Sequence, residues 1–301
     1  METTALEVKQ AKPALPIVAD LGKARTWQVL GALSVVALVF IYWDTFQWWW
    51  GQWWKNESYY SHGILIPFMS AFVIWFNWKR IVRTPVEPSA WGLALLAPTI
   101  LVQFGSHRSG AESISGLTVP ITLLGASLVL FGKRVTRELL FPILFLYFMC
   151  VPPTQYLYGL SFRIQERSTV AATAGLRLMG FDALREGVAI QLPNIRVLVG
   201  APCSGFRMLI ALLAFTTFFA YMKKGPLWGR LSLVALVIPL SLVANSVRVL
   251  LIALVGEYWG EDAMHSFHNY SGYIVLVIAF AILVQLAKVV KCRDFKSMPT
   301  S

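Results

Sequence analysis

The sequence predicts an all-α polytopic membrane protein, with about eight transmembrane helices and a small extracytoplasmic helix and hairpin segment. Three observations predict it. The 301 residues are 57% hydrophobic and only 14% charged, whereas soluble domains are close to half apolar and a quarter charged. The apolar residues fall in runs near the ~20-residue length that crosses a bilayer. The basic residues gather in short clusters between alternate runs, as the positive-inside rule describes.

The runs lie near 28–46, 62–78, 89–105, 117–132, 138–153, 204–222, 231–256 and 273–290. Lys9, Lys12, Lys23 and Arg25 precede the first, and no small-x-small cleavage pattern follows it, so it reads as a retained signal anchor. The stretch "WDTFQWWWGQWWKNESYYSHG" (43–63) reads as an aromatic belt at the outer interface in preference to a binding surface. The third, fourth and fifth runs are short, and the pattern leaves their boundaries open. Between the fifth and sixth, 155–180 has helical spacing with Arg and Glu on one face, expected as an amphipathic helix along the membrane surface. In "EGVAIQLPNIRVLVGAPC", Val188, Ile190 and Leu192 alternate with small or polar residues before a Pro193-Asn194 turn. That predicts a hairpin delivering the chain to Cys203.

Orientation follows from charge. With eight spans, "KRIVR" (79–83), "KRVTR" (133–137), Lys223-Lys224 with Arg230, and "KVVKCRDFK" after 288 share one side, the cytoplasm. The opposite segments 47–61, 106–116 and 257–272 carry little positive charge, and the last holds Glu257, Glu261 and Asp262. The segment 154–203 holds five arginines but is long enough for the rule to weaken. The expected organisation is a cytoplasmic tail (1–27), a transmembrane domain (28–290) with 154–203 outside, and a second cytoplasmic tail (291–301). The net charge of +11 is then a topology signal. No nucleic-acid-binding motif accompanies it, and the bilayer is the expected partner.

Polar residues inside apolar runs demand a reason. An arginine at the centre of a span costs about 2.5–3.5 kcal/mol on insertion scales. Arg248 stands eighteen residues beyond Arg230, a helical rise of about 27 Å across a core of about 30 Å. That places it in the outer leaflet. Either it snorkels to the outer headgroups or it faces the bundle; the two further apolar turns after it favour the bundle. Asn245, three residues earlier, shares its face and can hold the guanidinium.

Cys203 opens the sixth run, with Pro202 suited to a first helical turn. The sulfur would then lie near the positive end of the helix dipole, which favours thiolate. Ser204 and Gly205 leave room for an approaching group, and Arg207 at i+4 adds positive charge. A small buried hydrophobe and a disulfide to Cys150 are the competing readings, and the residues alone leave all three open. His265 and His268 sit just before the last run, and Gly272 opens the helix face beside His268. His62, followed by Gly63, is a third outer candidate; nothing raises His107 above a solvated loop histidine. A thiol, a guanidinium and an imidazole near one membrane face suffice for thiol acyl transfer. One outer cysteine with scattered histidines does not suit zinc, and no cofactor is expected.

The ordered set "CSGFR" (203–207), "NSVR" (245–248) and "HNYSG" (268–272), with "YSHG" (60–63) and the lead-in "REGVAIQLPNIRVLVGAPC", resembles the exosortase/archaeosortase family across roughly residues 40–290. The resemblance implies a cysteine-type transpeptidase in a bacterial or archaeal cytoplasmic membrane, its site facing outward. Its substrates would be secreted proteins held by a C-terminal sorting signal (PEP-CTERM-like): a short motif, an apolar helix and a basic tail. Cys203 would form a thioester and pass the product to a cell-surface acceptor nucleophile. Arg248 would stabilise the oxyanion and His268 would serve as acid/base or thiolate partner, with Arg207, Asn245, His62, His265, Ser204, Gly205 and Gly272 in support. The alternatives are a non-catalytic membrane subunit of a polysaccharide export assembly and, further off, a transporter. Transporters concentrate polar residues at the midplane in broken helices, whereas here they gather at one end.

Overall fold

A computed structural model describes residues 21–55, 58–200 and 205–298. The expected tails before residue 21 and after 298 lie outside the described residues, as do Cys203 and Ser204. The structure is mostly helical: α1 (Leu21–Ile41), α2 (Trp43–Trp54), α3 (Leu65–Phe76), α4 (Trp78–Arg83), α5 (Trp91–Ser109), α6 (Glu112–Phe145), α7 (Thr154–Leu178), α8 (Phe206–Met222), α9 (Leu227–Trp259) and α10 (Glu261–Val289). By length and composition, three stretches can cross a membrane: Glu112–Met149, Leu227–Trp259 and Glu261–Val289. The bent pair Gly31–Ile41 and Trp43–Trp54 makes a fourth if counted as one span; Ser61–Phe76 and Phe206–Met222 are apolar but shorter.

The first of these stretches folds back on itself. Gly132 breaks the helical dihedrals at φ 78, ψ −177. In a straight helix, residues nine and thirty-four apart would stand about 13 and 51 Å apart. Yet Ser127 Oγ and Thr136 Oγ1 are 2.8 Å apart, and the Cys150 thiol donates to the Gly116 carbonyl at 3.4 Å. So α6 is two antiparallel arms, which correspond to the expected runs 117–132 and 138–153. Glycine is required at the hinge, because a Cβ at 132 would overlap the Glu87 carbonyl.

The first expected run bends by 66° at Tyr42. A break in an apolar setting frees backbone groups that must find partners within the protein. Gln103 Nε2 donates to the Ile41 carbonyl at 3.0 Å. The fully buried Tyr42 hydroxyl bonds Thr118 and Thr122 at 2.8 and 2.7 Å. Beyond the bend, the aromatic stretch is only half a belt. Trp43, Trp50 and Trp54 are exposed, but Trp49 is wholly buried and stacks on Trp53, whose indole donates to the Met149 carbonyl.

The expected hairpin is present, extended by one strand. β1 (Leu184–Glu186), β2 (Ala189–Gln191) and β3 (Arg196–Leu198) form an antiparallel sheet in that order. Asn194 in the predicted turn donates to the Glu257 carboxylate at 2.7 Å, pinning the turn to the end of α9. Ile190, Leu192, Val197 and Val199 pack on Ala172 and Leu176 of α7 and on Val249, Ile252 and Ala253 of α9. The buried face of α7 is mostly short side chains (Ser161, Ser168, Thr169, Ala172, Thr173), and such faces let helices approach closely. It accordingly packs against α9, with Gly175 beneath Leu250.

Basic segments far apart in the chain meet at one end of the bundle. Lys223 Nζ donates to the Arg293 carbonyl at 2.6 Å and stands 3.7 Å from the centre of the Phe295 ring, tying the α8–α9 turn to the segment after α10. Lys296 packs over Tyr221. Its ammonium is pushed below its ordinary pKa first by burial, then by Arg230 and Arg80. The basic segments around 80, 223–230 and 291–296 thus share one end. The sheet and the α9–α10 turn lie at the other, separated by the 33 residues of α9, about 50 Å of helix.

Candidate active site

One helix start differs from expectation, and it shapes the site. α10 begins at Glu261 rather than near 273, so His265 and His268 are helical residues and not loop residues. Gly260, at φ 84, separates α9 from α10, and Glu261 and Asp262 complement the positive end of the new helix. α8 opens at Phe206, with Gly205 as its N-cap in the left-handed region at φ 76. The first-turn placement expected for Pro202 and Cys203 falls outside the described residues.

Gly205 is needed twice over. Its positive φ disfavours any side chain, and a Cβ there would stand 2.6 Å from Asn245 Cγ. Asn245, on α9 and fully buried, is thus the surface on which the chain seats as it enters α8. Three residues along α9, Arg248 is 8% exposed and faces α10. Its Nε donates to Ser271 Oγ at 3.0 Å and its Nη2 to the His268 carbonyl at 3.0 Å. A Cβ at Gly272 would touch Nη2 at 3.4 Å, so the glycine gives the guanidinium room to lie against the helix. Arg248 faces the bundle and does not snorkel.

Around this arginine lies a cavity of about 420 Å³. His62, Gly205, Arg207, Arg248, His268 and Gly272 all line it. They come from the 3-10 turn before α3 and from α8, α9 and α10. His62 is buried and stacks on Tyr60 at 5.9 Å. Gly63 beside it leaves space for the Trp53 ring, which a Cβ would strike. The His268 ring pairs with Asn269 Oδ1 at 3.3 Å. His265 falls outside the cavity; it is exposed and lies 3.6 Å from Glu261. His107 is exposed too, 3.0 Å from Asp44, so it has a partner that its sequence surroundings did not indicate.

Sequence reasoning passed over Ser271, which holds Arg248. Its signal was the helical spacing from His268 once α10 is started at the Gly260-Glu261-Asp262 boundary. Cys150 and Cys292 are free thiols, both buried. Cys292 packs against Gly225 and Gly229 at the basic end, far from the cavity. Among the described residues, no three His, Cys, Asp or Glu side chains group as metal ligands would. What the cavity offers is two guanidinium groups and two imidazoles: donors for negative charge and groups that move protons.

An apolar helical bundle with basic segments gathered at one end, and a cationic cavity towards the other, is a membrane protein built around a polar chamber. A family model described as transmembrane exosortase (Exosortase_EpsH) matches residues 53–285. The chain belongs to that family. Searches of curated proteins and of solved structures found no match.

Proposed function

We propose that this exosortase is a cysteine transpeptidase that cuts the C-terminal sorting signal of membrane-held secreted proteins and transfers the product to a surface acceptor. The observation that carries the reading is the cavity that gathers Arg207, Arg248, His62 and His268 around Gly205. Cys203 stands two positions before Gly205, a reach of at most about 7 Å. A thiolate there attacks the substrate carbonyl, forming the C–S bond and moving the carbonyl electron pair onto oxygen. Arg248, held rigidly by α10, is suited to stabilise that oxyanion, because a donor already fixed in place needs no reorganisation. As the tetrahedral intermediate collapses, the C–N bond breaks and the leaving amine takes a proton from the His268 imidazolium. The neutral imidazole then accepts a proton from the acceptor nucleophile, which displaces the thiolate from the thioester. His62 supplies a second imidazole to the same cavity.

The same reading orients the protein. The basic end lies in the cytoplasm with both termini, as the positive-inside rule favours. The cavity and the three-stranded sheet face outward, and the paired arms of α6 are counted within an eight-span topology.

Thiol chemistry tests this arrangement. Cys150 and Cys292 are 2% and 0% exposed, so a membrane-impermeant maleimide applied from outside should modify one site per chain, Cys203, and stop processing. Modification of Cys292, or full activity after Cys203 is blocked, would contradict the reading.

A further inference from the structure

The two guanidinium groups of the cavity are held differently. Arg248 is engaged by Ser271 and by the His268 carbonyl. Arg207, on the first turn of α8, has Nε and Nη2 shut off from water and without a hydrogen-bond partner among the described residues. These two nitrogens form one edge of the guanidinium, whose parallel N–H groups match the two oxygens of a carboxylate. Among the described residues, no Asp or Glu lines the cavity to meet them. A guanidinium edge buried without an acceptor is unfavourable, and a ligand that brings the acceptor relieves it.

We propose that Arg207 is a specificity-determining residue that binds a carboxylate side chain of the peptide substrate, next to the bond that is cut. The proposal rests on the transpeptidase reading and adds the chemistry by which the substrate is chosen. A tetrahedral oxyanion presents one charged oxygen and exists only in passing; a carboxylate presents two and is charged from the first encounter. The tethered Arg248 suits the former, and the untethered fork of Arg207 suits the latter. Protein atoms cover the fork, so Arg207 must rotate about its side-chain bonds to turn the edge inward. Met208, Phe215 and Leu276 line the same cavity, so the carboxylate is accompanied by apolar contacts along the rest of the segment.

The test reads binding on the full-length Cys203→Ala protein in phosphatidylcholine nanodiscs, so that it does not depend on cleavage. The probe is a membrane-anchored sorting-signal protein, compared with versions in which each Asp or Glu before its apolar helix becomes Asn or Gln. One such replacement should weaken binding by about tenfold or more. Arg207→Gln should weaken binding of the unaltered probe equally, with no further loss for the amide probe. Arg207→Lys should restore little, since it keeps the charge without the fork. Independent losses in the two partners, or unchanged binding by Arg207→Gln, would overturn the proposal. So would a defect that appears only when phosphatidylglycerol is present, which would assign the fork to a lipid headgroup. Normal, Arg207-dependent binding with no cleavage by the wild-type protein would instead defeat the transpeptidase reading alone.

Discussion

Cys203→Ala is expected to abolish processing of a co-expressed sorting-signal protein, by at least about 10⁴-fold, while the amount of exosortase in the membrane stays normal. Losing a nucleophile removes the covalent step itself, and what survives is only binding and oxyanion stabilisation. No other thiol can stand in. Cys150 is buried and donates to the Gly116 and Leu146 carbonyls. Cys292 is fully buried at the basic end. Immunoblotting of precursor and product, with the membrane level of the enzyme measured alongside, gives the answer. Unchanged processing by Cys203→Ala would leave a non-catalytic subunit as the better description.

Arg248→Gln is the second large effect, expected to lower kcat by about 10²–10³ with KM little changed. A donor that meets charge only in the transition state affects kcat rather than ground-state binding. Arg248→Lys should recover little, because one ammonium cannot span Ser271 Oγ and the His268 carbonyl, both 3.0 Å from different nitrogens of the present side chain. The variant also leaves those acceptors short of a partner, at about 1–3 kcal/mol for a buried group. Melting temperature is therefore measured first, and kcat at a temperature where both proteins are folded. A drop confined to KM, or one that tracks the loss of stability, would assign Arg248 to binding or packing.

Much of this was legible in the sequence because the membrane leaves few choices. The cost of an arginine in an apolar run singled out Arg248, and the structure places it against α10, lining the cavity with His268. The charge clusters were enough to sort the chain into two ends. The Pro193-Asn194 turn was legible from local chemistry alone. Other features depended on contacts between distant residues. Gly132 looks like any glycine between an apolar run and a basic cluster until Glu87 is packed against it. The burial of Trp49 against Gly116 is equally invisible in a run of tryptophans that composition assigns to an interface.

The start of α10 was misjudged for a plainer reason. In α10, the hydropathy of the run drew the start towards 273, although the Gly260-Glu261-Asp262 signal was present in the chain. That earlier start is what puts Ser271 and the His268 carbonyl within reach of Arg248.

A covalent thioester on Cys203 would be visible to intact-mass spectrometry. Purified protein in nanodiscs is mixed with a sorting-signal substrate, with no added acceptor, and quenched in acid. The expected product is an adduct equal in mass to the substrate minus its released tail helix, mapped to Cys203, discharged by hydroxylamine and absent from Cys203→Ala. Cleaved substrate with no adduct at any time point, or an adduct that persists in Cys203→Ala, would contradict it.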